Sequence, residues 1–98
     1  MLDLGDPDRV TALNIDVYKD NFARAINDSG EIVGQAISDD GQKVAYIWQN
    51  WHLADLNTVV DNGGDYRLRE AVGINNAGQI ICNAWRFGKT CAVLLTPV

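Results

Sequence analysis

The sequence has one histidine and two cysteines, which leaves little material for a catalytic or metal-binding cluster. A Ser/His/Asp or Cys/His arrangement would have to use His52, and no nucleophile stands at a recognisable spacing from it. A zinc site would need further ligands at short spacing, whereas Cys82 and Cys91 are nine positions apart. The sequence therefore predicts no metal and no cofactor, and it favours a protein that is not an enzyme.

A long apolar run and a basic region are also missing. No stretch reaches the roughly 18 apolar residues that span a bilayer, so no membrane span is expected. The 8 basic residues are scattered among 13 acidic ones, for a net charge of -5. Because binding to phosphates needs clustered positive charge, we expect no nucleic-acid partner. The acidic linker at residues 61–65 has too few ligands for a calcium loop and is more typical of a solvated turn.

What the sequence does contain is an internal repeat. The pattern Ala-x-x-Ile-Asn-x-x-Gly-x-Ile occurs at residues 23–32 and again at residues 71–80. Sliding the sequence by 48 positions superposes identical residues around both copies, and a shift of 47 then aligns Gly41 with Gly88. Such order indicates two diverged copies of one unit. The prediction is a single domain over 1–98, with repeat one at about 10–57 and repeat two at about 58–98.

Turn residues separate the short strands of each copy. Asn-Asp-Ser-Gly at 27–30 and Asn-Asn-Ala-Gly at 75–78 fit a type I turn that ends in a left-handed residue. Ser-Asp-Asp-Gly at 38–41 and Arg-Phe-Gly at 86–88 offer similar chemistry. The predicted turn residues are Asn27, Gly30, Gly41, Asn75, Gly78 and Gly88.

Between these turns the residues either alternate or are apolar on both faces, as strands do. No amphipathic helix is visible, and residues 66–70 could form at most one helical turn. Strands are predicted at residues 11–17, 23–26, 31–37, 43–49, 51–56 and 90–95. The predicted fold is all-β: an antiparallel meander of two similar three- or four-stranded repeat units that resemble propeller blades.

The two cysteines fall on adjacent strands of the last predicted hairpin. Cys82 and Cys91 could form a cross-strand disulfide, which has demanding geometry. The alternative is two thiols that pack as small apolar side chains.

Aromatic residues form the other distinctive set. At hairpin ends they could stack on a carbohydrate or fill a partner's pocket, which makes a small-molecule or sugar ligand a hypothesis. The alternative is packing, because Trp48 shares a strand face with Val44 and Tyr46. The candidate ligand-binding residues are Tyr46, Trp48, Trp51, Trp85 and Phe87.

The repeated core, followed by an alanine-containing strand and a Leu-x-Asp-Leu segment, resembles the HAF-type repeats of bacterial extracellular proteins. The resemblance covers residues 18–97. It implies a tandem β-repeat protein, propeller-like and extracellular, with no assigned biochemical role. The start of the sequence has acidic residues where an export signal has positive charge and then an apolar run, which favours a cytoplasmic location if the chain is complete.

Two copies are fewer than such arrays need, because repeat units bury their faces against neighbours. We therefore expect a homo-oligomer and a non-enzymatic binding or structural module. The alternatives are a fragment of a longer array, and a small hydrolase-like enzyme with a site between subunits around His52 and acidic residues.

Overall fold

The computed structural model describes residues 18–60 and 65–97. It confirms the all-β class, with two antiparallel sheets in meander order. The first sheet consists of β1 (Tyr18–Ile26), β2 (Ile32–Ser38), β3 (Lys43–Gln49) and β4 (His52–Asp55). The second consists of β5 (Arg67–Ile74), β6 (Ile80–Arg86) and β7 (Lys89–Leu95). The strand predicted at residues 11–17 and most of the acidic linker, residues 61–64, lie outside the described residues.

Glycine-ended turns join the strands at both ends of the sheets. In the first turn the Gly30 amide donates to the Asn27 carbonyl at 3.1 Å, and the Asn27 amide donates to the Glu31 carbonyl at 3.1 Å. Gly30 has φ +80°, a conformation that costs a glycine little. The turns at residues 38–41 and 75–78 form the same two bonds and also place glycine at positive φ. The residue types at these turns therefore suit the conformation that the turns adopt, with glycine at the positive-φ position.

The pairing of the first hairpin recurs later in the chain. β1 pairs Ile26 with Ile32, and β5 pairs with β6 through the two isoleucines that lie 48 positions further on. A register shift follows Ala23 in β1, and another follows Ala71 in β5. Each shift inserts an extra residue, which breaks the simple alternation of faces.

The two sheets share one hydrophobic core. It draws on one face of each sheet and on Leu56 of a short helix, α1 (Leu56–Val59). Full burial of a large aliphatic side chain is worth about 1.5–3 kcal/mol, so this core holds the sheets together. Its buried members are Val33, Ala45, Ile47, Leu56, Leu68, Ala71, Ile80, Cys82 and Ala84.

A second cluster lies on the other face of the first sheet. Its members alternate with the shared-core residues along β2 and β3, and Trp48 packs against them. The buried residues of this outer cluster are Ala36, Val44, Tyr46 and Leu53. Both faces of the first sheet are therefore buried, as its apolar strands predict.

The segment at residues 66–70, where the sequence allows at most one helical turn, leads into strand β5. Its charged residues and its register shifts hide the two-residue period that marks a strand. The one helical turn among the described residues is α1, where the Asp55 carboxylate accepts from the Asn57 amide at 2.8 Å. No helix in the described part of the chain is long and apolar enough to cross a membrane.

Both cysteines are free thiols. Cys82 pairs with Val93, while Cys91 pairs with Ala84, so the two sulfurs are offset along the hairpin rather than opposite. Cys82 is fully buried in the shared core, and that burial raises the pKa of its thiol to about 11. It therefore packs as a neutral apolar side chain.

Candidate ligand-binding groove and exposed sheet face

The five aromatic candidates do not meet at one place. Tyr46 is fully buried in the outer cluster, where burial raises the pKa of its hydroxyl, and that hydroxyl has no hydrogen-bond partner among the described residues. Trp48 packs on the same cluster and meets Trp51 edge to face at 5.6 Å. Trp85 and Phe87 lie at the opposite end of the sheets, beside the β6–β7 turn.

Two of these aromatic rings each contact an arginine guanidinium. The Arg69 guanidinium lies 4.7 Å from the centre of the Trp85 ring. The Arg86 guanidinium lies 4.7 Å from the Phe87 ring and 4.8 Å from the Tyr66 ring, and it donates to the Tyr66 hydroxyl at 3.0 Å. Cation–π contacts of this kind are worth about 0.5–1 kcal/mol at exposed sites. They hold the rings beside positive charge, which suits an anionic neighbour better than a cationic one.

His52 is exposed at the first residue of β4, opposite Gln49. It lines neither of the cavities between the sheets. Within the described ranges no group of three or more His, Cys, Asp and Glu side chains is arranged to hold a metal. No observation on the described residues therefore favours the enzyme alternative.

Paired turns connect the sheets at the end where β1 meets β2. The Asn27 side-chain amide donates to the Asn75 carbonyl at 3.1 Å. The Asp28 amide donates to Asn76 Oδ1 at 2.8 Å, and Asn76 Nδ2 donates back to the Asp28 carboxylate at 2.8 Å. Each bond joins residues 48 positions apart, so corresponding turn positions lie side by side.

Two further polar contacts join the sheets along β5. The Arg24 guanidinium on β1 pairs with the Glu70 carboxylate at 2.8 Å. The Gln35 side chain on β2 donates to the Arg69 carbonyl at 3.2 Å. These bonds fix how far the first sheet overlaps the second.

At the other end of the sheets a groove of about 580 Å³ separates them. Three of its lining side chains are cationic, although sequence reasoning treated the basic residues as scattered. Arg67 bonds the side chain of Gln42 across the groove. The lining residues of this cationic groove are Gly41, Gln42, Lys43, Arg67, Arg69 and Trp85. No pattern in the sequence identifies it, because the residues come from three strands and meet only when the sheets pack.

A neighbouring cavity of about 460 Å³ has mixed charge. It is lined by Asp55, Asp65 and Arg67, together with Asn57 and Tyr66. Opposite charges in one cavity largely offset each other. This second cavity therefore has no preference for one sign of ligand.

The second sheet exposes an apolar face. Ile81 on β6 is 50% exposed and Leu94, its partner on β7, is 58% exposed. Val72 on β5 adds a third exposed aliphatic side chain. We call Val72, Ile81, Ala92 and Leu94 the open face of the second sheet; sequence reasoning expected open faces without placing them.

The fold and these surfaces describe an all-β protein of two packed antiparallel sheets. Comparisons of the chain with protein-family models, with curated proteins and with solved structures found no match.

Proposed function

We propose that the chain is a non-enzymatic β-repeat module, related to HAF-type repeats, that assembles by docking one repeat unit on the next. The observation that supports it best is that the two sheets pack through opposite faces. Val33 of the first sheet faces the second, whereas Ile81, 48 positions later, points away from the first. Each unit therefore offers two different faces, one of which meets the preceding unit and one the following unit.

Exposure at corresponding positions shows which face lacks a neighbour. Val33 is 0% exposed and Ile81 is 50% exposed. Ile47 is 7% exposed and Leu94, at the corresponding position of β7, is 58% exposed. Burying side chains of this size releases about 1.5–3 kcal/mol each, which supplies a driving force for docking.

The turns support the same interpretation. Asn27 is 9% exposed because its side chain bonds the neighbouring turn, where it reaches the Asn75 carbonyl. Asn75 is exposed and its amide donates to Gln79 within its own turn at 2.9 Å. A second proton of that amide is then available for the next turn along.

The proposed partner in solution is a second copy of this chain. The outer face of the first sheet is already buried, since Ala36 and Tyr46 have no exposed surface. Two copies would therefore meet open face to open face, in a two-fold contact that differs from the contact between the two units of one chain. The charged side chain on this side of the sheet is Glu70, in register with Asn83 and Ala92, and it is paired with Arg24 at 2.8 Å. The contact would therefore not bury an unpaired charge.

Sedimentation velocity over a range of micromolar concentrations tests this proposal. We expect the wild-type chain to dimerise and Ile81→Glu or Leu94→Lys to remain monomeric, because each places an unpaired charge in a dry contact. Val59→Lys is the matched control, since Val59 is 58% exposed but lies on α1. A wild-type chain that stays monomeric and still melts cooperatively would contradict the proposal.

A further inference from the structure

The cationic groove concentrates positive charge in an acidic protein. The chain has a net charge of -5, yet three of its eight basic residues line this one cavity. None of the described residues that line it is acidic. Lys43, Arg67 and Arg69 form no ion pair within the described ranges, whereas Arg24 is neutralised by Glu70. Positive charge is therefore concentrated where the two sheets separate. Arg67 also lines the neighbouring cavity with Asp55 and Asp65, so Lys43 and Arg69 carry the charge that is least offset.

The carboxylate in the adjoining turn offsets the positive charge of the groove only weakly. Asp40 lies in the adjoining turn, and its pKa is lowered mainly by a hydrogen bond from the Ser38 hydroxyl and next by the Gln42 amide. Arg67 is the smallest of the causes that lower it. The Asp40 carboxylate thus bonds mainly within its own turn and offsets the charge of Arg67 only slightly.

The side chains have shapes that suit an oxyanion. Guanidinium groups present parallel N–H donors that match carboxylate and phosphate oxygens in pairs. The Trp85 ring, 36% exposed, supports Arg69 from one side and provides a flat wall. The groove is also large enough for a small organic molecule.

Several residues that line the groove differ between the two repeat copies, whereas the turn residues are shared. The turn positions match between the copies, but several groove positions do not: Arg69 corresponds to Asn21 and Trp85 to Ile37. Two groove positions are similar in both copies, since Gly41 corresponds to Gly88 and Arg67 to Lys19. Lys43 corresponds to Thr90, since each pairs at the same place in its hairpin. Because the repeat does not require these side chains, their convergence needs another explanation.

We propose that the cationic groove binds the oxyanion group of a small organic molecule, a carboxylate or a phosphate. Arg67 and Arg69 hold the oxyanion, Lys43 adds charge from the facing sheet, and Trp85 contacts the body of the molecule. The ligand then bridges the two sheets. Trp85 lies on the same side of β6 as Ile81, but no open-face residue lines the groove. A Leu94→Lys chain that cannot self-associate therefore keeps the whole groove, so the two proposals can fail independently.

Titrations of the full chain followed by ¹H–¹⁵N NMR test it, with citrate and inorganic phosphate as the probes and sodium chloride at equal ionic strength as the reference. We expect saturable shifts of the Trp85 indole and of the Arg67 and Arg69 side-chain N–H signals, absent with chloride. Stronger binding of citrate than of phosphate would identify a carboxylate ligand, and the reverse a phosphate ligand.

Arg69→Gln and Lys43→Gln should each weaken binding by about tenfold, because a charge-assisted hydrogen bond is lost. Lys89→Gln is the control, since it removes one charge from the exposed start of β7, outside the groove. The dispersion of each spectrum shows whether the variant is folded. Shifts that never saturate with either probe, or equal weakening in Lys89→Gln, would overturn the proposal.

Discussion

Gly34 lies where the fold leaves no room for a side chain. A Cβ atom there would lie 1.9 Å from the Phe22 carbonyl oxygen and 3.0 Å from the Tyr46 ring. The backbone atom cannot move away without disturbing the β1–β2 pairing. The corresponding position in the second sheet is Cys82, so the two units differ at the point where Tyr46 is accommodated.

We expect Gly34→Ala to lower the free energy of unfolding by about 1–3 kcal/mol, the usual cost of overpacking. Gly73→Ala is the matched control, because nothing lies within 4 Å of its added Cβ and the corresponding residue in β1 is Ala25. That variant should be neutral or stabilised by up to about 1 kcal/mol. Urea unfolding followed by circular dichroism measures both, and equal stabilities would contradict the steric account.

At the scale of elements, the side chain of Asn57 bonds α1 to β5, beside the core contact that Leu56 makes. Asn57 Oδ1 accepts from the Leu68 amide at 2.7 Å, and Asn57 Nδ2 donates to the Leu68 carbonyl at 2.9 Å. Leu68 is 1% exposed, so water cannot replace these bonds. The Asn57 side chain thereby pairs both the N–H and the C=O of Leu68, as a neighbouring strand would.

Asn57→Ala should therefore cost about 1–3 kcal/mol, the penalty for leaving a buried polar group unpaired. Thr58→Ala removes an exposed bond to the Asp55 carbonyl, 2.7 Å long, and should cost less than about 1 kcal/mol. Thermal melts of the two variants against the wild-type chain compare the costs. A larger loss in Thr58→Ala would mean that the cap, not the link to β5, stabilises this region.

Elements whose sequence signal is local could be predicted from the sequence. The turns ending in Gly30, Gly41 and Gly78 depend on residues next to each other, and so do the alternating strands after them. The first part of β5, residues 67–70, could not be predicted as a strand, because charged residues and a register shift break the alternation there. The cationic groove could not be predicted either, since its charges depend on how one sheet is placed against the other.

For the whole molecule, the shared core makes the two sheets one folding unit. Val33 and Ile47 from the first sheet contact the same core as Leu68 and Ile80 from the second. Neither sheet can lose its partner without exposing its own apolar face. The chain should consequently unfold in one step, as small single domains do.

Tryptophan fluorescence can check this, because Trp48 and Trp51 belong to the first sheet and Trp85 to the second. Trp85→Phe leaves reporters in the first sheet alone, and the double variant Trp48→Phe/Trp51→Phe leaves one in the second. We expect each reporter to give the same urea midpoint as circular dichroism of the same variant. Separate midpoints for the two sheets would show that they unfold independently.

Hydrogen bonds between paired turns join the two sheets at one end. At the other end the cationic groove lies between them. The space between the two sheets therefore widens from the bonded turns toward the groove, in the shape of a wedge. In an array built only from the contact that joins the two units of one chain, each unit would be rotated in the same sense, and the array would curve around its bonded ends. Repulsion among Lys43, Arg67 and Arg69 favours the open wedge, and an oxyanion that neutralises it would reduce the curvature. Small-angle X-ray scattering of the chain would detect closing of the wedge as a change of shape on adding phosphate, and an unchanged profile at saturation would rule it out.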